Sequence, residues 1–432
     1  MSYNFVVQNT LEVAKQPPDV PSLPASFRLT QSLGNLIPTV ARQPGGTKLK
    51  RHRKIKRSRH AGIVPLLAIG LGGAAVNGMA QTGAGAPGGS VNIYGVLDAG
   101  YVYQSGSVNN ANGTASGPVV KNAIQGGVAR GSRLGLRGSE NLGNGLKAIF
   151  AAEMGFYVDT GVSSQGAQVL NQYPAGPMFG RQAFVGLASN AGTLTMGRQY
   201  TPAFLVTTLA DPFFQGTAGN MANLQNTSGR ASNSVIYMTP AYGGLTASAM
   251  YAFGEVPGDT AKGRQYSANL VYQASPLSVG LAFYNANNPG ATATSRTTTL
   301  AANYDAGFAT LYGDLQIQRA SVENAPGSAV LGGDRVFTSY NSFLVGLSVP
   351  LGRHQFLLSY IYNRDMRGGP ASNRDASQFA VGYKYHFSKR TYLYSAYGTV
   401  TNHNGASYTI GDALSVNGNA RRAFNLGLSH DF

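Results

Sequence analysis

From about residue 90 to the C-terminus, the chain repeats apolar and polar side chains with a period of two. In Leu277-Ser278-Val279-Gly280-Leu281-Ala282-Phe283-Tyr284 the odd positions are all apolar. From Phe379 to Phe387 the odd positions read Phe, Val, Tyr, Tyr, Phe, and the even ones Ala, Gly, Lys, His. Side chains alternate across a strand, so this period predicts strands with one apolar and one polar face. A soluble sheet alternates in the same way, and the connections separate the two cases. Tight links at 141–145, 190–192, 241–244, 275–276, 306–307 and 350–352 alternate with long polar stretches at 105–128, 159–179, 201–232, 285–296, 319–339 and 402–421. Short turns on one rim and long loops on the other are the pattern of a transmembrane β-barrel.

The segments predict strands near 91–104, 130–140, 146–158, 181–189, 193–200, 233–240, 245–253, 264–274, 277–285, 297–305, 308–318, 340–349, 354–363, 376–386, 390–400 and 422–432. These make an all-β fold, a 16-stranded antiparallel transmembrane β-barrel. A spanning strand needs roughly 9–11 residues, which these segments supply. Composition agrees. Charged residues are only 12% of the chain, too few to cover a soluble surface of this size, yet mean hydropathy is −0.11, so the apolar residues are not gathered into helical spans. The absence of cysteine excludes thiol catalysis, disulfides and cysteine-ligated metals.

The N-terminal region is of another kind. Eight basic residues between Lys48 and Arg59 precede an apolar run, Ala61 to Val76, that ends at Gly78-Met79-Ala80. A charged region, a short apolar core and small residues before a cleavage point predict a signal peptide over 48–80, with the barrel over 81–432. Of the 33 Lys and Arg, 11 lie in residues 1–80 beside two acids, so residues 81–432 carry 22 basic against 15 acidic side chains, a net +7. The basic run is read as part of the export signal, not as a nucleic-acid patch. Gly70-Leu71-Gly72-Gly73-Ala74-Ala75 fits a dinucleotide fingerprint only formally, because no strand precedes it and no amphipathic helix follows. Residues 1–47 are a polar, proline-containing extension, read as a misassigned start with initiation near residues 40–50 or, alternatively, as a genuine extended leader.

Several stretches resemble the general-diffusion porins of Gram-negative bacteria, in particular their anion-preferring branch. Val91-Asn92-Ile93-Tyr94-Gly95-Val96-Leu97-Asp98 is similar to the family's first strand, and Ser132 to Gly143 (SRLGLRGSENLG) to its second strand and turn. Phe179-Gly180-Arg181-Gln182-Ala183-Phe184, Gly197-Arg198-Gln199-Tyr200-Thr201-Pro202 and Arg230 to Tyr237 (RASNSVIY) resemble later strand ends. The C-terminal Gly427-Leu428-Ser429-His430-Asp431-Phe432 resembles the terminal strand that the barrel-assembly machinery reads. The resemblance spans 91–432. It implies an outer-membrane homotrimer in contact with lipid and lipopolysaccharide, exported through the periplasm. It further implies a third loop, here 201–232, folded into each lumen, and passive transport of small hydrophilic solutes and anions.

A diffusion pore performs no bond chemistry, so its functional residues are charges at a water-filled constriction. In Arg133-Leu134-Gly135-Leu136-Arg137 the two leucines share one face, which turns both arginines to the other. By resemblance, Arg133, Arg198 and Arg230 occupy the family's wall-side basic cluster, and Arg181 matches a further arginine of the anion-preferring branch. Arg137 is expected as a neighbour. Alternation from Leu194 and Met196 points Arg198 towards lipid, so its place in the cluster requires a bulge at the strand end. Asp211 is the loop's only acid, which leaves basic charge in excess and predicts weak anion selectivity. Asp98 shares a face with Asn92 and Tyr94 and is expected to point into the lumen, where it lines the wall or hydrogen-bonds arginines. Phe432 ends the outward stripe Phe424, Leu426, Leu428 and His430, as an assembly signal.

His354, His386, His403 and His430 have no ligand spacing, so no metal or other cofactor is expected. No nucleophile, metal-protease or paired-carboxylate motif appears, and no enzyme is expected. A substrate-specific channel is the alternative within the class, distinguishable by saturable flux. An outer-membrane enzyme or an adhesin stands further off.

Overall fold

The computed structural model describes residues 89–109, 115–164, 176–321, 338–367, 373–404, 406–411 and 418–432. The expected extension over 1–47 and signal peptide over 48–80 lie outside these residues. The strands are β1 (Gly89–Asn109), β2 (Ala115–Gly126), β3 (Arg133–Gly143), β4 (Leu146–Gly155), β5 (Gln182–Ser189), β6 (Gly192–Tyr200), β7 (Arg230–Met238), β8 (Leu245–Ala252) and β9 (Gln265–Ala274). They continue as β10 (Leu277–Asn287), β11 (Thr294–Asp305), β12 (Thr310–Ala320), β13 (Tyr340–Leu351), β14 (His354–Asp365), β15 (Ala376–His386), β16 (Thr391–Asn402) and β17 (Gly418–Asp431).

Successive strands from β3 to β17 pair antiparallel, and β17 closes on β1 from Val96↔Asp431 to Val108↔Gly418. The segments β2 and β3 pair with successive halves of β1: Asn109↔Ala115 to Ala99↔Gly126, then Val96↔Arg133 to Gly89↔Glu140. They are two parts of one wall strand interrupted at 127–132, so the closed ring has sixteen strands. Most of 105–128, expected from the sequence to be a loop, is strand. Pro118, Lys121, Asn122 and Gln125 give β2 a loop-like composition, and only its pairing with β1 makes it a strand.

Turn chemistry fixes the register. Between β3 and β4, Asn144 (φ 49°) and Gly145 (φ 77°) both lie in the left-handed region that a two-residue hairpin turn requires. The two faces then separate cleanly. Leu134, Leu136, Val185, Leu187, Leu281, Phe283, Leu315, Ile317, Leu426 and Leu428 are exposed on the outside. The alternate positions Glu153, Thr297, Asp314, Gln316, Gln318, Gln378 and Asn425 are buried and polar. An exposed apolar exterior around a polar interior suits lipid outside and water inside.

Residues 201–229 pack against the polar face. A short helix, α1 (Pro202–Thr207), starts with proline and is capped by the Thr201 hydroxyl, which accepts from Phe204 N at 3.0 Å. Ala203, Val206 and Ala210 pack with Met250, Ala282, Tyr284 and Ala301 of β8, β10 and β11. Phe213, Met221 and Leu224 pack with Leu344, Leu357, Ile361 and Ala380 of β13 to β15. Burying side chains of this size contributes roughly 1.5–3 kcal/mol each. Polar anchors add direction. Asn226 Nδ2 donates to Gln318 Oε1 at 2.9 Å, Gln225 Nε2 to Asp314 Oδ1 at 2.9 Å, and Asn223 Nδ2 to Gln378 Oε1 at 2.8 Å. Ala218 N donates to Asn425 Oδ1 at 2.6 Å.

Candidate functional site

The arc of wall from β1 to β7 carries a basic cluster on its inner face. Arg133 pairs with Val96 and Arg137 with Asn92, on the side of Tyr94 and opposite the exposed Leu134 and Leu136. Arg181, just ahead of β5, donates from Nε to Glu153 Oε1 at 2.6 Å, and both side chains are buried. Glu153 Oε2 also accepts from Tyr94 Oη at 2.8 Å. The Tyr200 hydroxyl accepts from Arg181 Nη2 and from Arg230 Nη2, each at 2.7 Å. The Arg230 guanidinium lies 4.3 Å from the Tyr200 ring centroid, and that of Arg137 lies 5.0 Å from the Tyr94 centroid. Arg133 Nε donates to Gly131 O at 3.0 Å.

Arg133, Arg137, Arg181 and Arg230 thus lie around a framework of Glu153, Tyr94 and Tyr200. Four guanidinium groups against one carboxylate leave a fixed excess of three positive charges. The ion pair between Glu153 and Arg181 holds its geometry because neither partner can be removed cheaply. Breaking a buried pair costs roughly 3–5 kcal/mol, since the remaining charge is left uncompensated.

Arg198 is placed differently. A register irregularity between β6 and β7 falls at Gly197/Gln199, where Gly197 has φ +135°. Arg198 nevertheless pairs with Ala183, on the side of Val185 and Met196, and donates to Gly180 O at 2.6 Å and Ser232 Oγ at 2.8 Å. The bulge turns its neighbours Gln199 and Tyr200 to the inner face, while Arg198 keeps the side of Val185 and Met196.

Asp211 does not face open water. It is fully buried, and its carboxylate accepts from Phe213 N and Gln215 N, each at 2.8 Å, and from Met221 N at 3.2 Å. It organises the loop backbone. Burial outweighs these donors and pushes its carboxyl up to about 6.

Two contributors carry no local signal in the sequence. Glu153 and Tyr200 are joined to the arginines only by tertiary contacts. Lys384 was visible among the even, inner positions of β15; its Nζ lies 5.4 Å from the Phe214 ring centroid and 5.2 Å from that of Tyr392. Phe432 completes closure of the ring: its backbone exchanges hydrogen bonds with Gly95 at 3.2 and 3.3 Å, and its ring covers the space that a Gly95 side chain would fill.

A closed barrel with an apolar exterior, a polar interior and a basic cluster on its inner wall is a membrane pore. The chain belongs to the Gram-negative porin family, whose profile matches residues 66–405. It is 33% identical over 355 residues to an outer membrane porin protein of Bordetella pertussis, covering 72% of this chain and 88% of that one. It is 31% identical to outer membrane porin protein 32 of Delftia acidovorans over 332 residues, 73% of this chain and 85% of that one. Among solved structures, the anion-selective porin from Comamonas acidovorans superposes with a TM-score of 0.62 at 27% identity, covering 80% of this chain and all of the other. The protein is an outer-membrane channel for passive transport and not an enzyme.

Proposed function

We propose that the protein is a general-diffusion porin whose water-filled lumen is weakly anion-selective. The observation that carries this reading is the basic cluster, in which Arg133, Arg137, Arg181 and Arg230 outnumber Glu153. Its likeness to an anion-selective porin supports the same sign. In this reading residues 201–229 fold into the lumen and form the other side of the constriction. Asp211 contributes scaffolding there in place of a pore charge, and Arg198 lies outside the ion path.

The functional unit is a homotrimer in the outer membrane, in contact with lipid and lipopolysaccharide. It is delivered through the periplasm after cleavage of the signal at 48–80 and inserted by the barrel-assembly machinery, which reads the strand ending at Phe432. Reconstitution in planar bilayers tests the reading. The expected result is conductance steps in threes, flux linear in solute concentration and a reversal potential of anionic sign in a salt gradient. A cationic reversal potential would overturn the selectivity, and saturating flux would favour a substrate-specific channel.

A further inference from the structure

We infer that Asp98 is the positioning residue of the constriction: it clamps the strand interruption at 127–132 so that one face of that segment meets the tip of loop 201–229 and the other holds Arg133 and Arg181. The inference rests on the anion-selective reading above and adds a residue that sets its geometry.

Asp98 is fully buried in the middle of β1, level with the gap between β2 and β3. An interrupted strand leaves β1 backbone groups without ladder partners, and each needs another. The interruption supplies them. Asp98 N donates to Ser132 Oγ at 3.0 Å, and Asp98 O accepts from Gly127 N at 2.7 Å and from Ser132 Oγ at 3.1 Å. The carboxylate extends the clamp, with Oδ1 accepting from Ala129 N and from Tyr394 Oη, each at 3.0 Å. Tyr394 reaches it from β16 across β17. Side chains at Gly100 and Gly427 would lie 2.6 and 2.3 Å from its hydroxyl, so these glycines leave the passage open.

The clamped segment touches both sides of the proposed constriction. Val128 O accepts from Thr217 N at 2.6 Å, and a Cβ on Gly216 would lie 2.0 Å from Ala129 O, so the loop tip sits directly on it. Two residues on, Gly131 O accepts from Arg133 Nε at 3.0 Å, and a Cβ on Gly131 would lie 2.9 Å from Arg181 Nη1. One carboxylate therefore fixes the spacing between the loop tip and two of the guanidinium groups.

D98A removes the acceptor for Ala129 N and Tyr394 Oη. D98N keeps an oxygen in the same place. G216A presses the loop tip off the segment without touching Asp98. If release moves one guanidinium from about 5 to about 8 Å from the ion path, local anion occupancy falls about 1.7-fold at water's dielectric. The experiment is bilayer recording of wild type, D98A, D98N and G216A, with folding checked by heat-modifiable migration. The expected result is higher single-channel conductance and lower anion preference in D98A and G216A, with both restored in D98N. A purely structural role would lower heat stability in D98A and leave the permeability ratio unchanged. If D98A does not fold, G216A against wild type still decides. Wild-type conductance and reversal potential in the folded variants would overturn the inference. A wild-type pore without anion preference would instead overturn the reading beneath it.

Discussion

Replacing Arg133 by glutamate should remove most of the pore's anion preference while leaving the barrel intact. Arg133 lies on the inner face, and its Nε bonds a backbone carbonyl and not the buried acid, so its loss strands no charge. The cluster holds four guanidinium groups and Glu153, a net +3 that falls to +1 in R133E and to −1 when R230E is added. A chloride about 5 Å from one guanidinium gains about 0.8 kcal/mol at water's dielectric; reversing that charge changes its energy by about 1.7 kcal/mol, about 16-fold in local occupancy. At an effective dielectric of 20 the change is about fourfold larger in energy. The assay is the zero-current potential across a planar bilayer in a potassium chloride gradient, recorded on folded protein that passes a heat-modifiability check. The single variant should move it towards zero and the double variant should invert its sign. Unchanged potentials in both folded variants would show that ions do not pass the cluster. R181Q provides a contrast. It should cost roughly 3–5 kcal/mol of stability by leaving the Glu153 carboxylate unpaired, and so lower the unfolding temperature before it changes selectivity.

Three further outcomes follow from the packing. Removing most of 206–226 should raise single-channel conductance and admit larger solutes in a swelling assay; unchanged exclusion would place the constriction elsewhere. The Asp211 carboxyl is raised to about 6, so the stability from its protonated form is complete below the ordinary carboxylate range and lost as pH rises through about 6. Open-channel noise should therefore grow between pH 5 and 7 (about one unit either side of that value) and lose this dependence in D211N. Deleting Phe432, or placing a methyl at Gly95 where a Cβ would lie 2.2 Å from its ring, should lower assembled yield without altering the conductance of the barrels that form.

The wall was legible because lipid outside and water inside impose a period of two on every spanning strand, as in Leu277 to Tyr284. Arg133 and Arg137 were legible for the same reason, since the leucines between them fix the face. The period failed where that environment stops: β2 has no clean apolar stripe, and the interruption at 127–132 is defined by its bonds to Asp98. Glu153 and Arg181 are 28 residues apart, and Tyr200 meets Arg230 across a 30-residue separation, so no local pattern announces either contact. Asp211 was recognisable as the loop's one acid. Its burial depends on how the loop folds back on its own backbone, which spacing does not report.

The anchoring of loop 201–229 also sets an order of events in assembly. Its tip bonds Asn425 on the last strand, 207 residues further along the chain, and further polar anchors lie on β9, β11, β12, β13, β14 and β15. Contacts of such separation form late, because the intervening chain must be ordered first. The loop cannot be fully seated until β17 is in place, so wall closure and the seating of the loop are one step. A barrel arrested before that step would lack the last anchor of this loop, and the same terminal strand that seals the cylinder completes the loop's seat.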